Sequence, residues 1–432
     1  MNFVEPSYVS EWKPKLLAPA DFRSFAGLDE ICGDIVGAIE GRLGRADTRE
    51  RCERAIWAFV GSLHGCYREG RPLGVPLSTK SYRASKRYNP KWFAYRTIKK
   101  VFDLLVAHGY VRAWKGYPGF GDGGFITKVY ASDKLVEIFE ANDLSYTCNM
   151  KELVQLKDED KQLMEYSDNK YTMHKRDITQ GYNDYMEGFE IMHHGQRLDA
   201  HLHTVNSRGD WECNGRYHNS AGGAQSLSKE DRAEITFRHP QWKSPESSAE
   251  FDFDSMHPNL IYGLINVSPA TDGSGDLYMP VVKLLKASES IRGGVKLMML
   301  TMINAKDDAA AIRAFHHTIN EARQRNRTRK QKKLVALWGA MKADGVSSRD
   351  LMDGIKRVHS PIKHWFCSDA GIRLMRHDSD IMTSIIERCL SADLPLLPIH
   401  DSVVVPASRY NEAKLICERA FSEHIDRVRG SC

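Results

Sequence analysis

No pair of cysteines in this 432-residue chain is spaced Cys-x-x-Cys, and the nine cysteines form an odd, scattered set. That excludes a zinc-ribbon framework and a disulfide scaffold, and it fits thiols kept reduced in a cytoplasm. No run reaches the roughly 18 apolar residues of a membrane helix, so no membrane partner is expected. Residues 1–16 contain acids and lack a long apolar stretch, so they are not expected to be a secretory signal. A large charge of one sign is missing too: 61 basic and 56 acidic residues leave +5. A polyanionic partner must therefore be sought in where the charges sit. The glycines Gly116, Gly119, Gly121, Gly123 and Gly124 lack the Gly-Lys-Ser or Gly-Lys-Thr ending of a phosphate loop. They read as the tip of a hairpin.

What is present is 42% hydrophobic, enough for two or three domains with real cores. Ile31, Ile35, Ile39 and Leu43 fall at four-residue spacing and predict a helix. Residues 49–65, with Ile56, Phe59, Val60 and Leu63 inward, predict a second. Ser78 and Asn89-Pro90 are helix-start signals. Residues 92–108 carry a helical pattern of Tyr95, Ile98, Val101, Phe102 and Leu105 that stops at Gly109. Strand-like runs at 110–114 and 125–130 follow. Helices followed by a hairpin outline a winged helix-turn-helix. Its polar face carries Arg83, Lys86, Arg87, Arg96, Lys99 and Lys100 with Trp92 among them, a phosphate-contacting pattern that also suits a solvated helix face. Residues 134–141 and 182–192 read as charged helices, with 157–175 as a linker.

Near the end of the sequence, Leu396, Leu397 and Ile399 enter a turn at His400-Asp401, and Val403 to Val405 leave it. Apolar and β-branched runs on either side make this a strand, a tight turn and a strand. Aspartate at a hairpin tip is an ordinary turn residue. Upstream, however, Glu250-Phe251-Asp252-Phe253-Asp254-Ser255-Met256-His257-Pro258 is another strand-like run with carboxylates where it ends. Carboxylates at the ends of neighbouring strands are what a divalent-metal phosphoryl-transfer site needs, because they supply hard oxygen ligands. Between these stretches, Arg292 and Lys296 stand four residues apart, on one face of a helix. Seven of the eleven residues from Arg323 to Lys333 are basic, which suggests a template or nucleotide contact.

Taken in order, these stretches resemble the motifs of the family A polymerases, which include the DNA polymerase I class and the single-subunit phage-type RNA polymerases. Asn214-Gly215-Arg216 with Gln225 resembles the segment before motif A. Asp252 to Pro258 resembles motif A, Arg292 to Asn304 motif B, and His400-Asp401-Ser402 motif C. The resemblance covers about residues 210–425. It implies an α+β fold: a right-hand polymerase palm with helical fingers and thumb, behind the winged helix-turn-helix. The domains expected are 1–145, nucleic-acid-binding; 146–209, a linker or thumb-like segment; and 210–432, the palm, with a fingers insertion at about 285–365.

By the same resemblance Asp252, Asp401 and the Phe253 backbone carbonyl hold two Mg²⁺ ions, for which Mn²⁺ can substitute. His400 lies at the primer terminus. Arg292, Lys296, His257, Leu300 and Asn304 meet the nucleotide, and Arg216 and Gln225 touch the primer–template. The chain departs from the family pattern at His257 and Asn304, where a sugar gate and a tyrosine usually stand, and at Ser402, which replaces a glutamate common in DNA polymerases. The expected function is template-directed nucleotidyl transfer on primer–template DNA or RNA from nucleoside triphosphates, without a proofreading domain. A DNA polymerase comes first, with an RNA polymerase or primase beside it. The rival is a non-catalytic DNA-binding replication initiator with a degenerate palm.

Overall fold

The computed structural model describes residues 6–9, 14–17, 19–82, 87–116, 126–142, 144–219, 223–325 and 328–430. It is mixed, with 53% helix and 18% strand, as the α+β expectation requires. The chain divides into two units. One comprises residues 1–211, 215–251 and 382–417; the other comprises 212–214, 252–381 and 418–432. Neither is continuous in sequence. No helix among the described residues is long and apolar enough to cross a membrane.

In the first unit the strands Lys15–Leu16 and Ala20–Ala26 precede the helices Leu28–Ile39 and Ala46–Arg68. Ile31, Ile35, Ile39 and Leu43 are all buried, as are Ile56, Phe59, Val60 and Leu63. The third helix is Tyr95–Ala107, with Ile98, Val101, Phe102 and Leu105 inward. It starts later than the sequence suggests, because Asn89-Pro90 opens no helix and Ala94 is its N-cap. The strands Val111–Trp114 and Thr127–Ala131 follow as an antiparallel pair, with Val111 opposite Ala131. Thr127–Ala131 also pairs antiparallel with Leu73–Val75. Most of the glycine-rich tip, 117–125, lies outside the described residues.

Further along, the helix Lys170–Met186 is fixed at its start by a capping box. The Asn169 side chain accepts from the Thr172 N–H, and the Thr172 hydroxyl accepts from the Asn169 N–H. The linker expected over 157–175 therefore ends inside this helix. The helix expected over 182–192 stops at Met186, and Glu190–His193 is a strand with Ile191 and His193 inward. That strand belongs to a six-stranded sheet. Its order is Leu397–Ile399, Ser402–Pro406, Glu246–Asp252, Thr236–Arg238, Glu190–His193 and Gln196–Arg197. Lys175, also in the supposed linker, is 1% exposed. Its ammonium donates to Thr383 Oγ1 at 2.6 Å and lies 4.4 Å from the Tyr217 ring centre, which compensates the loss of water.

The second unit is built mainly of helices. Arg292–Asn304 runs through its core, with Val295, Met298, Met299, Met302 and Ile303 buried. Asp308–Arg325 and Arg329–Ala343 follow, and Ser348–Val358 starts on a capping box of Ser347 and Asp350. Gly345 takes φ 66° just past the end of Arg329–Ala343. There the N–H of Val346 reaches back to Met341 O at 2.9 Å, the left-handed stop that glycine allows. His359 is fully buried. Its Nε2–H donates to Leu277 O and its Nδ1 accepts from the Tyr262 hydroxyl, both at 2.9 Å. Burial lowers its pKa, which keeps the ring neutral as that pattern requires.

Candidate active site

The hairpin near the end of the chain forms as its apolar runs predict. Leu397 pairs with Val404 and Ile399 with Ser402, leaving a two-residue turn of His400 and Asp401. Every residue of both strands is buried, whereas His400 and Asp401 are exposed. His400 takes φ 51°, a left-handed conformation uncommon for a residue with a side chain.

A chain of polar contacts within the first unit holds this tip. Ser402 Oγ donates to Glu250 Oε1 at 2.8 Å. Glu250 in turn receives a two-pronged bond from Arg232, Nε to Oε2 at 2.9 Å and Nη2 to Oε1 at 2.8 Å. Arg232 Nη1 also donates to Leu227 O at 2.8 Å. Burial opposes the charge on Glu250, but Arg232 and the Ser402 hydroxyl outweigh it and hold the carboxyl below its ordinary range. The residue after Asp401 is thus bonded to the residue two before Asp252. Sequence reasoning misses Glu250, although its place two residues from an expected ligand on the same strand is an available signal.

Gln225 is part of the same bracing. Its Nε2 donates to Tyr217 O at 3.0 Å and Pro398 O at 2.9 Å, and its Oε1 accepts from Asn219 N–H at 3.0 Å. These bonds occupy the amide, so the expected minor-groove contact through Gln225 is corrected to a brace on the hairpin. Arg216 follows Asn214 and Gly215, at φ 67° and 86°, in the long strand Asp210–Asn219. The adjacent His218 ring is 5.9 Å from both His203 and His400. Burial first, then His400, Lys157 and Arg216, push His218 down to about 4. It is a neutral base at physiological pH.

Asp252 closes the strand Glu246–Asp252 and is exposed. In the second unit, Phe253 packs its ring 5.6 Å from Phe421, and Asp254 is exposed. Ser255 takes φ 49° as the N-cap of the helix Met256–Leu264. His257 is 8% exposed, and its Nε2 is 2.8 Å from Asp378 Oδ2. A ring locked on a buried carboxylate is not presented to a ribose, so its expected contact with the nucleotide is corrected to a buried polar anchor.

Arg292 and Lys296 do share a face of their helix. Arg292 lies 5.1 Å and Lys296 6.0 Å from the Tyr278 ring centre, and the Tyr278 hydroxyl accepts from Ser255 Oγ at 2.9 Å. Arg292 Nε donates to Asp276. Burial works against the Asp276 charge, but Arg292 and the N–H groups of Tyr278 and Met279 hold that carboxyl low. Lys296 is exposed and Leu300 half-buried. Asn304 bonds back to Leu300 O at 2.8 Å. The basic run straddles two helices, and Arg329, Lys330, Lys332 and Lys333 are exposed in the first turns of Arg329–Ala343. Cations there oppose the helix dipole, so helix stability does not account for them.

On the N-terminal module the expected basic and aromatic surface is largely taken up internally. Arg83 and Lys86 lie outside the described residues. Trp92 is 2% exposed in the core and donates from Nε1 to Asp21 Oδ1 at 3.1 Å. It is corrected to a core residue. Arg87 binds Glu152 and Tyr166 O, each at 3.0 Å. Lys99 pairs with Asp103 at 2.7 Å, and Lys100 donates to Leu43 O at 2.7 Å. Lys91 and Arg96 are exposed.

Among the described residues, no group of three or more His, Cys, Asp or Glu side chains is placed to hold a metal ion. Magnesium is ordinarily held by one or two carboxylates, with water and substrate phosphates completing its shell. The exposed, hard-oxygen side chains of Asp252 and Asp401 fit that donor chemistry, whereas Glu250 is committed to Arg232. Comparison of the chain with family models, with curated proteins and with solved structures returned no match.

Proposed function

We propose that this protein is a template-directed nucleotidyltransferase, most simply a DNA polymerase extending a primer. The observation that carries the reading is the sheet order. The strand that begins directly after Asp401 is the neighbour of the strand that ends at Asp252, and Ser402 and Glu250 bind side chain to side chain.

In this reading Asp252 and Asp401 hold Mg²⁺, which when bound makes a primer hydroxyl more acidic and offsets charge on departing pyrophosphate. Arg292 and Lys296 bind and orient the triphosphate. His400, exposed at the tip, sits at the primer terminus. The helices and the hairpin in the four-stranded sheet of the N-terminal part support a winged helix that contacts the template strand, with Lys91 and Arg96 as its phosphate contacts.

The deciding experiment is extension of a labelled primer on DNA and RNA templates with Mg²⁺ and each set of nucleoside triphosphates. No incorporation under any combination would leave the non-catalytic DNA-binding reading in its place. Lys296→Ala should lower kcat/KM for the incoming nucleotide by roughly 10- to 100-fold, the worth of one charge-assisted phosphate bond, with template affinity unchanged. Weaker template binding at unchanged kcat/KM would move Lys296 to the nucleic-acid side.

A charge reversal tests the N-terminal surface. Lys91→Glu with Arg96→Glu should flatten the dependence of log Kd on log salt for duplex DNA by about 0.9 for each phosphate no longer neutralised. Both side chains are exposed, so the melting temperature should stay put. An unchanged slope would remove this face from the interface.

A further inference from the structure

Within the first unit, a cavity of about 560 Å³ lies against the last turn of the helix Ala46–Arg68 and the hairpin built from Glu190–His193 and Gln196–Arg197. That volume suits a small organic ligand. None of the residues proposed to act in nucleotidyl transfer lines it, although Leu227, whose carbonyl accepts from Arg232, does.

Two of its lining groups are left incomplete by the described residues. The first is Arg68. Its Nη1 donates to Arg197 O at 3.3 Å, and among the described residues no carboxylate lies within ion-pair distance of it. The neighbouring Glu69 is taken by Lys15 at 2.7 Å and lies 3.7 Å from Arg71. Burial pulls the Arg68 pKa down, and Tyr146 and Glu69 only partly oppose it. Arginine nevertheless stays charged. A cation in the last turn suits the helix dipole, but the dipole does not call for half-burying it away from a partner.

The second is His193. It is 8% exposed, and its Nε2 is shut off from solvent with no hydrogen-bond partner among the described residues. Buried polar atoms are nearly always bonded, and an exception calls for a missing partner. Burial first, then His194 and Arg68, hold its pKa down, so the ring is neutral and Nε2 can donate or accept.

The remaining lining groups set the character of the ligand. Asp199, also on the wall, accepts from His201 Nδ1 at 3.1 Å. Arg197 adds a second guanidinium, while Asp231 is exposed and offers an acceptor for a hydroxyl or amine. Tyr67 adds an aromatic wall, packed edge-on to Tyr8 with ring centres 5.0 Å apart.

We propose that this cavity is a binding site for a small organic anion, its phosphate or carboxylate seated on Arg68 and its body against the Tyr67 ring. Such a ligand supplies the counter-charge that Arg68 lacks among the described residues. The site is independent of the proposed polymerase chemistry.

Calorimetric titration of the full chain with ribose 5-phosphate, with citrate and with uncharged ribose tests it. At least one of the two anions should bind saturably with one site per chain, and ribose should not. The anion that binds tells phosphate from carboxylate. Arg68→Gln should weaken that binding roughly tenfold or more, as expected for loss of a charged hydrogen bond, and Arg68→Lys by less. Lys296→Ala should leave it intact. If Arg68→Gln lowers the folded fraction, Tyr67→Ala carries the same test, since it removes the aromatic wall and leaves Arg68 in place. Absence of binding by both anions at millimolar concentration overturns the proposal. So does binding unaltered in the folded Arg68 or Tyr67 variants, or abolished in Lys296→Ala.

Discussion

Asp401→Asn should reduce single-turnover nucleotide incorporation by about 10³-fold or more, because removing a metal ligand takes away several kcal/mol of transition-state charge stabilisation. Asp252→Asn should do the same. Asparagine keeps the shape of both side chains, and both aspartates are exposed. The melting temperature and primer–template affinity should therefore move little. The contrast with Glu250 sharpens the test. Glu250 is committed to Arg232 and Ser402, so a defect in Glu250→Gln should appear first in stability. Incorporation within a few-fold of wild type by either aspartate variant, measured at saturating Mg²⁺, would overturn the assignment of that residue.

The second large effect concerns folding. Arg232→Met should destabilise the protein by about 3 kcal/mol at pH 7, since breaking a largely buried ion pair strands the remaining charge. The side chains of Arg232 and Glu250 are 12% and 10% exposed. The effect depends on pH. Because the Glu250 pKa is depressed in the folded protein, its charged form stabilises the fold above the unfolded carboxyl pKa of about 4.3. That contribution disappears as pH falls through the depressed value. In Arg232→Met the carboxyl is without its main partner and takes up a proton at higher pH. The gap between variant and wild type should therefore be widest near neutrality and narrow below about pH 4. Urea unfolding at pH 7 and at about pH 3 measures both. A gap that does not change with pH would mean that Arg232 acts through packing alone.

The parts of this fold that the sequence reveals are those written in periodic apolar residues. The hairpin at 397–406, the helices at 28–39 and 95–107 and the strand ending at Asp252 are all marked by spacing and by turn residues. Buried polar groups follow no such rule. Lys175, Glu250, Asp378 and His359 are charged or polar in the sequence, and a charged residue reads as surface unless its partner is known. The partners of Lys175, Asp378 and His359 lie 208, 121 and 97 residues away, and Glu250 is tied both to Arg232, 18 residues before it, and to Ser402, 152 residues after it. Trp92 misleads for the converse reason: among lysines and arginines it reads as a stacking platform, yet its indole fills the core and its N–H meets Asp21. The strand at 190–193 reads as the end of a helix because Tyr182 and Met186 carry the helical spacing up to it. With that strand hidden, the sequence gives no sign of the cavity beside Arg68.

The discontinuity of the first unit bears on how the protein is made. Its sheet places Ser402–Pro406 beside Glu246–Asp252, yet about 150 residues separate the two strands in the chain. At a ribosome adding roughly 5–20 residues per second, the earlier strand waits on the order of ten seconds for its neighbour. Through that interval Glu246–Asp252 is a raw sheet edge, open to pairing with the same strand of another nascent chain. The carboxylates Glu246, Glu250 and Asp252 along it supply the like-charge repulsion that discourages such pairing. The acidic character read as chemistry in the finished molecule thus also serves as protection during synthesis.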